Sequence, residues 1–263
     1  MPTDPTARFS DRVDNYVRYR PSYPAGVLPL LEEVTGLTDQ WVIADLGSGT
    51  GISAELFLRH GNTVYGVEPN DAMRHAAERL LQAYPRFHSI NGRAEATTLP
   101  DASVDCVVAA QAFHWFDVAA AHAEVRRILR PDGWAVLLWN TRRLDSSPFL
   151  RAYEALLQRF GTDYRDVQHN QISALPLEAF FGGPHYQRHT LENHQEHDLD
   201  GIRGRLLSSS YVPAEGHANH APMLAELERI VAAHGHEGRV VVEYETEVYV
   251  GRVQPRMSMR GGR

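Results

Sequence analysis

Residues 41–51 read WVIADLGSGTG, and this stretch decides the fold. Its first six residues are apolar apart from Asp45, which is typical of a strand that is buried on both faces of a sheet. Three glycines follow within five residues, and glycine adopts backbone angles that other residues avoid. The stretch therefore predicts a central strand that ends in a tight turn.

The sequence around this turn alternates predicted strands with predicted helices up to residue 139. Further strands are expected at 63–68, 87–90, 104–110 and 134–139, the last of them after a turn at 130–133. Helices are expected at 25–36, at 52–60, after the N-cap Asn70 and after the N-cap Asp117. In the helix after Asn70 we expect Met73, Ala77, Leu80 and Leu81 to face inward. This alternation predicts parallel strands with helices on both faces of the sheet.

The pattern changes after residue 139. Helices are predicted from Pro148 to about Phe160, at 199–207 and at 222–234, whereas residues 161–184 are loop-rich. A strand is predicted at 186–191. Residues 239–250 alternate between polar and apolar side chains, which indicates an antiparallel or edge strand.

Two acidic residues accompany the predicted turn. Glu68 ends the second strand, where a carboxylate can accept hydrogen bonds from both hydroxyls of a ribose, so the unit predicts a nucleoside site. Asp45 stands at the end of the first strand, where a carboxylate repels a pyrophosphate and suits a cationic ligand. S-adenosylmethionine (SAM) has a sulfonium group, an ammonium group and no phosphate, so it fits these residues.

A dinucleotide is the alternative ligand for this turn. Its fingerprint is Gly-x-Gly-x-x-Gly. Started at Gly47, the pattern fails because its third glycine is Ile52. Started at Gly49, it places Ala54 third, and alanine is tolerated there, so the dinucleotide interpretation stays open.

Residues 41–139 resemble a class I SAM-dependent methyltransferase. The stretches that carry the resemblance, in the family's order, are DLGSGTG (45–51), YGVEPN (65–70), GRAE (92–95), LPDASVDCVVAAQAFHWFD (99–117) and ILRPDGWAVLLWN (128–140). The pair YRPSYP (19–24) and QAFHWFD (111–117) is similar to the type 11, trans-aconitate methyltransferase-like branch. The resemblance implies an α/β fold with a Rossmann-like seven-stranded mixed sheet, helices on both faces and an antiparallel last strand. It is loose after residue 140, where substrate choice usually resides in this fold.

The resemblance implies a SAM site around the glycine turn. The residues that would frame the methionine part of SAM are Asp45, Gly47, Ser48, Gly49, Thr50 and Gly51, with Gln111 beside the sulfonium and Arg20 on the carboxylate. Glu68 would hold the ribose hydroxyls. The residues that would surround the adenine are Pro69, Met73, Ala94 and Glu95. The alternatives are ordinary core for Met73, an exposed loop acid for Glu95 and a surface arginine for Arg20.

His114 is the candidate catalytic residue, as a base or as a group that orients the substrate. It follows the fourth predicted strand, at the edge where open α/β sheets bind ligands. The alternative is a structural histidine packed under the next helix. The candidate substrate-binding residues are Tyr23, His114, Trp115, Trp139, Asn140, Arg203 and Tyr211.

Composition excludes several classes of protein. Cys106 is the single cysteine, so the chain has no intramolecular disulfide and no multi-cysteine metal site. All 26 basic residues are arginine, which excludes a P-loop lysine, a pyridoxal phosphate lysine and a protein-kinase lysine. The net charge of −7 does not favour nucleic acid as a partner. The chain also lacks the roughly 20 consecutive apolar residues that a membrane crossing needs.

We therefore expect a cytoplasmic methyltransferase, monomeric or homodimeric, that acts on a small molecule at a carboxylate or hydroxyl oxygen and releases S-adenosylhomocysteine. No metal is expected, because pairs such as His194/His197 lack nearby cysteines. The alternatives are a SAM-binding protein with a binding role or non-methylating chemistry, and an NAD-dependent oxidoreductase. The expected parts of one structural domain are an N-terminal helical lid (1–36), a SAM-binding core (37–140), the rest of the sheet with substrate-side helical insertions (141–253) and a disordered tail (254–263).

Overall fold

The computed structural model describes residues 18–162, 164 and 174–253. The first 17 residues of the predicted lid and the whole predicted tail, 254–263, lie outside the described residues. Part of the predicted loop-rich segment, at 163 and 165–173, also lies outside them.

The described chain forms strands and helices in the predicted alternation. The strands are β1 (Val42–Leu46), β2 (Thr63–Val67), β3 (Phe87–Ile90), β4 (Val104–Ala110), β5 (Leu129–Arg142), β6 (Tyr186–His197) and β7 (Val240–Gly251). The α-helices are α1 (Val27–Thr35), α2 (Ile52–His60), α3 (Asp71–Leu80), α4 (Val118–Ile128), α5 (Pro148–Phe160), α6 (Ala174–Phe181), α7 (Leu199–Leu207) and α8 (His220–His234). One 3-10 turn, Phe113–Trp115, follows β4.

The strands form one seven-stranded sheet with the order β3-β2-β1-β4-β5-β7-β6. The pairs β1–β2, β1–β4, β2–β3 and β4–β5 are parallel. The last strand runs antiparallel to the strand before it, so the predicted mixed sheet is confirmed. The alternative of an edge strand for residues 239–250 is wrong, because β7 lies between β5 and β6.

Close contacts group the described residues into two units. The sheet unit comprises 23–139, 174–191 and 247–253, and the helical unit comprises 18–22, 140–162, 164 and 192–246. The prediction of one structural domain stays a prediction.

The sheet unit has two hydrophobic clusters because successive strand residues point to opposite faces. Ala44 and Leu46 of β1 belong to a cluster with residues of α4 and α6. Ile43 belongs to a second cluster with residues of α1 and α2. β1 is therefore covered on both sides, which explains its apolar sequence.

Capping residues set several of the predicted helix ends. The Asn70 side chain accepts a hydrogen bond from the Met73 backbone N–H, and the Asp117 side chain accepts from two backbone N–H groups of α4. Gly61 ends α2 with a φ of 106°, as glycine permits. These helix boundaries agree with the prediction.

Four predictions of local structure need correction. Leu80, the last residue of α3, is 49% exposed, whereas Met73, Ala77 and Leu81 are buried as predicted. Residues 130–133 are not a separate turn: they form a bulge inside β5, where the register passes from Leu129 to Trp134. α6 lies in the segment predicted as loop, and β6 extends to His197 instead of ending at residue 191.

Candidate functional site

The glycine turn continues directly from β1. Gly47, Gly49 and Gly51 have φ values of 67°, 57° and 88°, a region that side chains rarely adopt. A Cβ atom on Gly47 would lie 2.7 Å from the Cβ of Ala112, which follows β4. The turn therefore requires glycine here for both its conformation and its close approach to the neighbouring strand end.

Asp45 is a fully buried carboxyl group at the end of β1. Its Oδ2 accepts a hydrogen bond of 2.6 Å from the Ser53 hydroxyl, whereas its Oδ1 has no partner among the described residues. Burial raises the pKa of Asp45 to about 7, and the charge of Glu68 adds to the rise. A cation beside Oδ1 would supply the missing contact and stabilise the ionised form.

Glu68 follows β2 and is also buried. Its two oxygens accept hydrogen bonds from the backbone N–H groups of Gly49 (2.9 Å) and Asn70 (2.8 Å). These two bonds fix the carboxylate against the glycine turn. Burial nevertheless raises its pKa above the usual value. Because each carboxylate oxygen can accept a second hydrogen bond, Glu68 can receive two hydroxyl groups.

The remaining turn residues and the predicted adenine wall also lie in the sheet unit. Ser48 and Thr50 are buried, and the Thr50 hydroxyl has no partner among the residues that the structure describes. Met73 is buried, and its Cε lies 4.0 Å from where a Cβ on Gly49 would lie. Pro69 is half-buried.

The loop after β3 contains Ala94 and Glu95, whose predicted contacts with the adenine stay a prediction. Ala94 is buried, but the Glu95 carboxylate accepts a 2.9 Å hydrogen bond from the Asp117 backbone N–H. One oxygen of Glu95 is thus committed to the start of α4. The alternative of an idle exposed loop acid is wrong, because Glu95 is half-buried and bonded.

Gln111 follows β4 in a conformation that sequence reasoning missed. Its φ is 55°, and its backbone N–H donates to the Leu138 carbonyl at 2.9 Å. A positive φ in a residue with a side chain is strained, and such strain is concentrated at functional sites. No sequence signal marks it, because glutamine does not favour this region.

His114 lies on the 3-10 turn after β4 and is exposed. Its ring centroid is 4.5 Å from that of Trp115 and 5.0 Å from that of Trp139. The alternative of a histidine packed under the next helix is wrong for His114. That description fits His122 of α4, which is buried with Nδ1 2.7 Å from the Phe180 carbonyl oxygen.

Residues 44–137 match the family model of a methyltransferase domain. An uncharacterised methyltransferase of Mycobacterium tuberculosis is 36% identical over 163 residues, which make up 62% of this chain and 64% of that protein. An uncharacterised methyltransferase-like protein of Schizosaccharomyces pombe is 32% identical over 156 residues, 59% of each chain. The chain thus spans slightly less than two thirds of the length of these relatives.

Solved structures agree with these relatives. A protein of Anaeromyxobacter dehalogenans, provisionally named a type II methyltransferase, superposes with a TM-score of 0.67 at 28% identity. The match covers 90% of this chain and 99% of that one. Residues 44–137 thus match a methyltransferase domain, and the seven-stranded mixed sheet is that of the class I methyltransferase fold. The trans-aconitate-like branch stays a prediction.

The methyltransferase domain, as matched, contains the glycine turn, both buried carboxyl groups, Gln111 and His114. Among the described residues, no group of three or more His, Cys, Asp or Glu side chains is placed to hold a metal ion. No helix in the described ranges is both long enough and apolar enough to cross a membrane.

Four of the predicted site residues lie in the helical unit. Arg20 donates to the Ser208 carbonyl, and Tyr211 packs against Tyr164 with 5.0 Å between ring centroids. Arg203 forms ion pairs with two acids of the same unit, Asp200 and Glu228. Asn140 donates to the Ser22 carbonyl and accepts from Thr246 and Asn193. Tyr23 belongs to the sheet unit, where it packs against the second cluster.

We predict that Gly47→Ala destabilises the chain more than Gly36→Ala. Both glycines have a positive φ, so each substitution should cost about 1–2 kcal/mol of unfolding free energy for the strained backbone. Gly36 has no atom within 4 Å of the added Cβ, whereas Gly47 meets Ala112 and should lose about 1–3 kcal/mol more. Chemical denaturation of both variants measures the difference, and equal losses would contradict the close approach.

Proposed function

We propose that this chain is a SAM-dependent methyltransferase that acts on a small molecule at an oxygen, either a carboxylate or a hydroxyl. The observation that carries the proposal is the buried Asp45 carboxyl, whose Oδ1 has no partner among the described residues. A cationic ligand bound beside the end of β1 would donate the hydrogen bond that Oδ1 lacks. When bound, SAM supplies a methyl group on a sulfonium sulfur, which an acceptor oxygen attacks in line to leave S-adenosylhomocysteine.

In this proposal, different residues of the chain bind different parts of SAM. Asp45 would receive the cationic methionine part, and the conformation of the glycine turn lets the backbone approach the ligand. Glu68 would accept the ribose hydroxyls on an already fixed carboxylate. The buried Met73 side chain beside the turn would contact the adenine.

The dinucleotide alternative is not favoured. A pyrophosphate at the turn would lie next to the buried Asp45 carboxyl, and two negative charges in a buried place repel each other strongly. The family match and the relatives point the same way. Non-methylating chemistry on the same site has no observation in its favour.

Catalysis in this proposal depends mainly on alignment. SAM is already activated, and fixing two reactants in the attacking geometry can supply roughly 7–11 kcal/mol. His114, held by contacts with two tryptophan rings, would orient the acceptor or remove its proton. Trp115 and Trp139 would contact the acceptor beside it.

The first test is the affinity of Glu68→Ala for SAM, measured by calorimetry. Loss of a charged acceptor for two hydroxyls should cost about 1.5–3 kcal/mol, or roughly 10–150-fold in Kd. Glu78→Ala is the matched control, because this glutamate is exposed on α3 and should leave the affinity unchanged.

Unchanged affinity in Glu68→Ala would remove Glu68 from the site. Tighter binding of NADH than of SAM by the parent chain would overturn the cofactor assignment itself.

The second test is the pH–rate profile of His114→Ala, once an acceptor has been found by the release of S-adenosylhomocysteine. For a hydroxyl acceptor, a positioned base is worth about 10²–10⁴ in rate, so kcat should fall by that factor. The pH dependence that this base gives to kcat should disappear with it. For a carboxylate acceptor, already ionised above a pKa of about 4, the loss should act on KM. If kcat, KM and pH profile all match the parent, His114 has no part in the reaction.

A further inference from the structure

Two buried arginines lie in the helical unit. Arg142 ends β5 with a side chain that is 9% exposed, and Arg205 of α7 is 5% exposed. Each guanidinium packs on a tyrosine ring: Arg142 lies 5.2 Å from the centroid of Tyr153, and Arg205 lies 5.8 Å from that of Tyr244. Arginine is seldom buried this deeply without a charged partner.

Each guanidinium has one donor atom that lacks a partner. Arg142 donates through Nη2 to Glu154 (2.6 Å) and Tyr164 (2.8 Å), but its Nη1 has no partner among the described residues. Arg205 donates through Nε to the Tyr244 hydroxyl at 2.8 Å. Its Nη1 is likewise buried and without a partner in the described part of the chain.

The two arginines contact one cluster of tyrosines: the rings on which they pack, Tyr153 and Tyr244, belong to the same buried cluster as Tyr164, and Tyr211 packs against that cluster. Burial alone would raise the pKa of the Tyr211 phenol, but the positive charges of Arg205, Arg20 and Arg142, together with a hydrogen bond from Ser209, outweigh burial and lower that pKa. The positive charges of Arg142 and Arg205 therefore both stabilise the ionised form of this phenol.

The charge of Arg205 also lowers the pKa of a buried histidine, His197. His197 is buried, and burial together with the charge of Arg205 lowers its pKa to about 4. Its ring is therefore neutral at pH 7. Its Nε2 is a further buried atom with no partner among the residues described.

Among the described residues, the two arginines have only one acidic partner between them. Glu154 forms an ion pair with Arg142, whereas Arg205 has no acidic side chain within ion-pair distance in the described ranges. A buried charge without a counter-charge destabilises a fold. The stability of the fold therefore does not explain why Arg205 is buried, whereas a negatively charged ligand beside it would explain this.

We propose that the helical unit binds a small oxyanion, a carboxylate or a phosphate group, through Nη1 of Arg142 and Nη1 of Arg205. The planar fork of a guanidinium matches the oxygens of both groups. This proposal concerns binding in one unit and does not depend on methyl transfer.

The test is calorimetry of the full chain with succinate and with inorganic phosphate, each against sodium chloride of equal ionic strength. Succinamide, which has the same carbon skeleton without the charges, is the matched neutral probe. We expect saturable binding of succinate or phosphate and none of succinamide. Binding of succinate alone assigns a carboxylate ligand, and binding of phosphate alone assigns a phosphate ligand.

Arg205→Met separates a binding role from a structural one, because methionine keeps an apolar stem without the charge. The affinity for the bound anion should fall about 30-fold or more. The thermal midpoint of the ligand-free variant should be no lower than that of the parent, since an unpaired buried charge has been removed. Arg229→Met on α8 is the control, because its exposed side chain should affect neither measurement.

Two results would overturn the proposal. One is a parent chain that binds neither anion in the millimolar range, and the other is unchanged affinity in folded Arg205→Met. If that variant does not fold, Arg142→Met combined with Glu154→Gln decides in its place, because it removes the second guanidinium together with its partner charge.

Discussion

A buried carboxyl group at the end of the central strand is the constraint on which the candidate site depends. Asp45 is out of contact with water, and burial raises its pKa to about 7. Such a group is stable either as the neutral acid or beside a cation. Because β2 and β4 run parallel to β1 on either side of it, the residues that follow these strands, Glu68 and Gln111, lie at the same end of the sheet as Asp45. The three glycines of the turn that follows β1 have backbone angles that side chains rarely allow.

The sequence predicts the sheet unit well because its signals are local. α2 lies at Ile52–His60 as predicted, since a glycine stands at each end of it. The N-caps Asn70 and Asp117 mark their helices in the same way. The continuous apolar strands β1 and β4 are recognisable because both of their faces are covered. The candidate site residues of this unit are therefore predicted from motifs and the resemblance alone.

The remaining features depend on contacts that no local pattern records. α6 is apolar on nearly every side, so it lacks the periodicity that marks a surface helix. The strained backbone of Gln111 follows from how β4 meets the next turn. Arg142 and Arg205 stand 63 residues apart, and only the folded helical unit brings their charges to Tyr211. The ion pairs of Arg203 are another such feature: this residue was predicted to bind substrate, and in the folded chain it forms ion pairs with Asp200 and Glu228.

The most direct measurement is the titration of the Asp45 carboxyl carbon by NMR, assigned with Asp45→Asn, in the free chain and with S-adenosylhomocysteine. We expect a midpoint near pH 7 in the free chain, because burial raises the pKa of this group to about that value. With the ligand's ammonium group beside Oδ1, the midpoint should fall by about 1–3 pH units. A midpoint that stays near pH 7 when the ligand is bound would contradict the placement of the ligand's ammonium group beside Asp45.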